Sequence, residues 1–207
     1  LPDSRTLLVA DLHLEKGSSL ARRRVLAPPY DTRATLAVLG AMIAQWTPQR
    51  VIALGDNFHD DEGSSRLLPE DSDALAALQR GRDWIWLSGN HDPSPPAGIG
   101  GDVLPFMMLD DVLLWHAADG RDPRPQIAGH LHPCARVATR GRTLRRKCFV
   151  TDGTRLVMPA IGAYTGGLNI LDRAFDGLFQ RQKVTAHVLG DSRIFSISPP
   201  LLMRDRA

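Results

Sequence analysis

Three short apolar runs in the first half of the chain each stop on polar residues. Residues 6–10 run into Asp11, residues 50–54 into Gly55-Asp56, and residues 84–87 into Ser88-Gly89-Asn90. Short runs without a polar break read as strands buried on both faces, and such strands belong to parallel sheets whose crossovers are helices. Between the first two runs, Leu36, Leu39, Ile43 and Trp46 recur at spacings of three and four behind Asp31. That pattern predicts a helix over 31–46 with Asp31 as its cap. A second helix is predicted over 70–80. The order strand, helix, strand, helix, strand makes a βαβαβ unit around a parallel sheet.

The second half has a different texture. Strand candidates at 112–115, 126–129, 144–151, 155–158, 184–189 and 194–197 follow one another, separated by turn residues. Strands dominate there, which predicts two packed sheets with helices outside rather than one doubly wound sheet. At 207 residues the chain needs no staples to build a core. We expect one domain over 1–207, with 199–207 as a flexible tail.

Composition narrows the function classes. A chain that is 43% hydrophobic and 23% charged is a folding sequence, which excludes disorder. Lys and Arg number 25 against 23 Asp and Glu, a net charge of +2, so an overall basic coat for nucleic acid is absent and any electrostatic footprint is local. Cys134 and Cys148 form no CxxC pair and read as reduced spectator thiols. No apolar run approaches the ~20 residues that span a bilayer, and the opening Leu-Pro-Asp-Ser-Arg is without the basic, apolar and small-residue sectors expected of a signal peptide. The expected location is the cytoplasm, without membrane contact.

Five of the seven histidines cluster with acidic or amide residues where strands stop: Asp11 and His13, Asp56, Asn90 with His91, His116, and His130 with His132. Strand ends are where α/β sheets place ligands. Asp11 and His13 are two apart, as are His130 and His132, so in extended backbone each pair would share a face and grip one ion. The candidate ligands are Asp11, His13, Asp56, Asn90, His116, His130 and His132: imidazole, carboxylate and amide without thiolate. That set suits Mn, Fe or Zn better than an all-oxygen Mg or Ca cage. Seven ligands exceed the needs of one tetrahedral ion, whereas a carboxylate such as Asp56 can bridge two ions ~3.5–4 Å apart.

In order, Asp11-Leu12-His13, Gly55-Asp56, Gly89-Asn90-His91-Asp92, His116 after an apolar strand, and Gly129-His130-Leu131-His132 resemble the motif set of the calcineurin-like metallophosphoesterases. The resemblance implies an α/β fold, a four-layer αββα sandwich of two mixed sheets flanked by helices. It implies one metal site of Asp11, His13 and His132, another of Asn90, His116 and His130, and Asp56 shared. Segments 11–18, 28–33, 55–60 and 159–169 further resemble the bacterial ligase-associated DNA damage response endonuclease branch. That implies a phosphodiester substrate in DNA and association with a repair ligase or helicase.

Phosphate esters resist attack because their anionic oxygens repel a nucleophile. Two divalent ions, manganese first and iron or zinc as alternates, would supply a bridging hydroxide near neutrality and clamp those oxygens. His91 is the expected proton donor to the leaving oxygen, with Asp92 orienting it. His59 is read as a hydrogen-bonded loop histidine that could contact the substrate phosphate or stand in an outer shell around the ions, and His187 as structural. Arg136, Arg140, Arg142, Arg145, Arg146 and Lys147 put six cations on a stretch without acidic residues, which reads as a basic hairpin for a polyanionic backbone. Rival readings are a nucleotide-sugar or lipid pyrophosphatase, a broad phosphoesterase, and a metal-binding scaffold without turnover.

Overall fold

The computed structural model describes every residue except Pro95, Ala97, Arg140, Arg181, Arg206 and Ala207. The first sheet holds β1 (Thr6–Val9), β2 (Arg50–Ala53), β3 (Asp83–Leu87) and β4 (Asp102–Leu104), paired in that order and parallel throughout. The connections carry α1 (Lys16–Arg22), α2 (Asp31–Trp46) and α3 (Pro69–Gln79). Alternation explains the unbroken apolar runs. Val51 and Ala53 face Leu36, Leu39 and Ile43 of α2 and Leu75 of α3, while Ile52 and Leu54 face the second sheet. Each fully buried leucine there contributes roughly 1.5–3 kcal/mol of burial.

The second sheet is mixed. Its strands are β5 (Met107–Leu109), β6 (Val112–Leu114), β7 (Gln126–Ala128), β8 (Pro133–Thr139), β9 (Arg142–Thr151), β10 (Arg155–Val157), β11 (Leu168–Asn169), β12 (Thr185–Leu189) and β13 (Ile194–Ile197). The order runs β11-β8-β9-β10-β7-β6-β5, with β12 paired to β9 and β13. Leu114 and Met158 meet Ala10, Ile52, Leu54 and Leu87 between the sheets. The outer face, bearing Ala135, Cys148, Val150 and Val188, is covered by Ile170, Phe175 and Leu178 around a 3₁₀ turn. The fourth layer is therefore thin, and among the described residues no α-helix follows Gln79. Among the described residues no helix is long and apolar enough to cross a membrane.

Three local readings change. Asp31 does not cap α2; its Oδ2 accepts the first-turn amide of Gly17 at 2.9 Å, so it serves the neighbouring α1. Trp46 is 65% exposed, because it sits in the last turn just before the chain leaves through left-handed Thr47. Residues 199–205 lie against β8 and β9: Leu202 bridges Val137, Met203 donates its amide to Arg136 O at 2.8 Å, and Arg145 of β9 pairs with Asp205.

Register positions the site. Val9, Ala53 and Trp86 lie side by side, so Asp11, Asp56 and Asn90 all emerge from one edge of the first sheet. Leu114 aligns with Ile127, and Ala128 with Val157, which brings His116 and His130 out at the corresponding edge of the second.

Candidate metal centre

The chain turns sharply on leaving these strands. Asp11, His13, Asp56, His130 and His132 all adopt left-handed backbone, with φ of 54°, 42°, 48°, 70° and 45°. This corrects the extended-pair reading of Asp11 with His13 and of His130 with His132. The side chains converge through successive left-handed turns rather than through strand alternation. Each such residue costs on the order of 1 kcal/mol or more, and strain of this kind persists where the surroundings over-determine it.

Ligand atoms of Asp11, His13, Asp56 and His132 lie within 4.8 Å of one another, as do those of Asp56, His116 and His130. Asn90 joins the second set, its Oδ1 2.9 Å from His116 Nε2. Asp56 belongs to both. Its Oδ2 is 3.6 Å from His13 Nε2, and its Oδ1 is 3.3 Å from His116 Nε2. One carboxylate thus turns an oxygen to each set. Asp11 is fully buried and accepts the His130 amide at 3.0 Å.

The hydrogen bonds assign protons. His116 Nδ1 is 3.0 Å from the Leu54 carbonyl, which can only accept, so Nδ1 carries the hydrogen and Nε2 offers a lone pair. That lone pair faces the oxygens of Asn90 and Asp56. Acceptors that converge on an acceptor repel unless a cation lies among them, and a buried carboxylate pair likewise calls for positive charge. Burial pushes His13 down to about 2, with His132 adding to the effect, and holds His130 below the usual range. Neutral imidazole is the form that binds a metal. The donors therefore fit divalent ions of the Mn, Fe and Zn group.

Gly89 makes the second turn possible. A Cβ there would overlap Asp56 N and Oδ1 and approach Asp92 Oδ1 to 2.6 Å. Gly89→Ala is expected to displace Asp56, costing ~1–3 kcal/mol by overpacking and lowering metal content, as read by thermal unfolding and elemental analysis.

His91 lies beside the donors, its side chain 40% exposed. Its Nδ1 donates to the His59 carbonyl at 3.0 Å, and its Nε2 is 4.0 Å from Asp56 Oδ2. The expected orienting contact from Asp92 does not form. Asp92 turns inward, where its Oδ2 accepts the amides of Asn57 and Phe58 at 2.9 and 3.1 Å, and burial pushes its pKa up to about 7. Adjacent side chains in the turn diverge, so Asp92 braces the loop carrying Asp56 rather than the ring of His91.

Of the readings of His59, the hydrogen-bonded loop histidine is the one the geometry resembles. It is 8% exposed, and its Nδ1 meets His13 Nδ1 at 3.3 Å. The hairpin cations do not form one face. Arg136 and Arg145 are cross-strand partners beside Lys147, whereas Arg142 and Arg146 project to the opposite side, as alternation requires. Lys147 is directed inward, its ammonium donating to Ala160 O at 2.7 Å and Thr165 Oγ1 at 3.1 Å. Arg145 holds Gly167 O, and Arg146 pairs with Asp191. Arg140 lies outside the described residues. Nearer the donors, Arg22 and Arg23 line a cleft with His91 and the acidic residues Asp60, Asp61 and Glu62. A second cleft opens beside His130. His187, on β12, bonds Ser196 far from the centre.

A family model described as Calcineurin-like phosphoesterase matches residues 4–141, more than half of the 207. The chain belongs to this family. The matched span includes every candidate ligand from Asp11 to His132. Among solved structures, Pseudomonas putida nuclease MPE is similar over 95% of this phosphoesterase chain and 89% of its own, with TM-score 0.72 and 28% identity. The E. coli phosphoesterase Yfce aligns over 93% and 98% with TM-score 0.42 and 17% identity. No curated protein matches the sequence. The chain is a metal-dependent phosphoesterase hydrolase of mixed α/β fold.

Proposed function

We propose that this phosphoesterase is a two-metal phosphodiesterase that cuts DNA internally. Asp11, His13, Asp56 and His132 hold one ion in this reading, and Asp56, Asn90, His116 and His130 the other. The observation that carries it is Asp56, whose two oxygens face two separate donor sets. When bound, the two ions would acidify a water and neutralise the phosphoryl oxygens. Everything else falls to the side chains. His91 stands beside the donors with Nδ1 tied to a carbonyl, which leaves Nε2 to pass a proton to the departing oxygen. On the cleft that His91 borders, Arg22 is paired with Glu62, and Arg23 offers positive charge beside it.

The DNA assignment draws on similarity to a nuclease across nearly the whole chain, and on clefts at both the His91 and His130 ends of the donor cluster. A strand running past the centre in both directions would be cut at an internal bond. Manganese is the ion we assign, in a cytoplasmic repair setting alongside a ligase or helicase. Metal-reconstituted protein is expected to bind two ions per chain, to hydrolyse bis-p-nitrophenyl phosphate, and to convert circular DNA to linear fragments, with both activities lost to a chelator. Turnover of the small ester with circular DNA left intact would overturn internal cutting. One ion or none per chain, across Mn, Fe and Zn, would overturn the two-metal reading.

A further inference from the structure

His59 makes two contacts with the centre through two different parts of itself. Its ring Nδ1 lies 3.3 Å from His13 Nδ1, and its backbone carbonyl accepts from His91 Nδ1 at 3.0 Å. The ring is edge-on to His13, with centroids 5.3 Å apart, and stacked on His91 at 4.9 Å and 21°. We infer that His59 is a positioning residue that links a metal ligand to the proton donor, its ring fixing the tautomer of His13 while its carbonyl holds the His91 ring in place through Nδ1–H. The inference rests on the two-metal reading above and names a residue which that reading does not use.

The chemistry follows from His13. Its Nε2 is the atom aimed at His132 Nε2 and Asp56 Oδ2, at 3.3 and 3.6 Å, so Nε2 must keep its lone pair toward the ion and Nδ1 must carry the hydrogen. A buried N–H needs an acceptor, and the atom that meets it is His59 Nδ1. Ligating histidines generally give their second nitrogen to such a partner, which orients the ring and raises its basicity. Here the partner is an imidazole rather than a carboxylate, so the link adds no negative charge beside the ion.

The backbone makes His59 a fixed point. His13 N donates to Asp56 O, Leu14 N to Asn57 O and His59 N to Leu14 O, each at 2.9 Å, which zips the segment after β1 to the segment after β2. Asp92 pins the amides of Asn57 and Phe58 from below. The His59 ring therefore does not need to move with the substrate, and at 8% exposure it has little surface to offer one.

Substitution separates the two contacts, because a side-chain change leaves the carbonyl in place. In His59→Ala, the manganese concentration that fills one of the two sites should rise about 10–100-fold while the other site is unchanged. At limiting manganese the count should fall from two ions toward one per chain, and turnover at saturating manganese should recover most of its wild-type value. His59→Gln, whose amide oxygen can accept the His13 proton, should restore much of the lost affinity. Manganese-dependent thermal shifts read occupancy without turnover, and circular dichroism of both metal-free variants checks folding. Unchanged affinity for both ions in His59→Ala would overturn the inference, and so would turnover that stays lost at full occupancy, which would make the ring a substrate contact. Fewer than two ions in the wild type would instead sink the two-metal reading.

Discussion

Replacing Asp56 with asparagine should leave the fold intact and remove the chemistry. The amide has the shape of the carboxylate but only one acceptor oxygen. With Oδ1 retained for the His91 amide at 3.0 Å, the new NH2 would take the place of Oδ2, opposite His13 Nε2. A donor there opposes a cation, so the set of Asp11, His13 and His132 should lose its ion, while the set of Asn90, His116 and His130 keeps a weaker one. We expect a metal count below two per chain and turnover reduced by roughly 10²–10³-fold, the scale seen when a preorganised electrostatic group is removed. Elemental analysis beside steady-state kinetics checks both halves. Two tightly bound ions in Asp56→Asn would show that the carboxylate is not shared.

His91→Ala should give the opposite split. The side chain stands 4.0 Å from Asp56 through Nε2 and belongs to neither four-donor set, so both ions should remain. Loss of a general acid costs ~10²–10⁴-fold, and the loss should follow the basicity of the leaving group. A DNA alkoxide needs a proton as it departs, whereas p-nitrophenolate departs without one. The variant is therefore expected to lose DNA cleavage by that factor and bis-p-nitrophenyl phosphate hydrolysis by far less. Equal loss on both substrates, or loss of an ion, would assign His91 to the metal environment.

Much of the centre was legible because strand ends are conspicuous in a sequence. Residues 6–10, 50–54 and 84–87 emerge as β1, β2 and β3 within a residue or two, and all seven proposed ligands converge. The signal was the abrupt stop of each buried run. α1 was missed because Lys16–Arg22 has no apolar stripe; the helix depends on Asp31 and Thr32 from the next element. β4 and β11 have three and two residues, too few to show a period. β8 begins on a proline and carries small side chains around its single arginine, Arg136, which hides its alternation. The orientation of Asp92 and the partner of His59 were not legible, for a common reason. Neighbouring residues in a turn point apart, and which of them turns inward depends on partners some 35 or 46 positions away, Asn57 for Asp92 and His13 for His59.

The left-handed ligand loops have a cost that bears on the history of such a protein. Five strained residues together withhold several kcal/mol from a domain whose whole margin is about 5–15 kcal/mol. A descendant released from hydrolysis would have nothing to offset that penalty, so drift toward glycine at positions 11, 13, 56, 130 and 132 would relax the backbone and erase the donors in the same step. Decay of function in this scaffold should accordingly begin at its hinges and leave the layers beneath untouched.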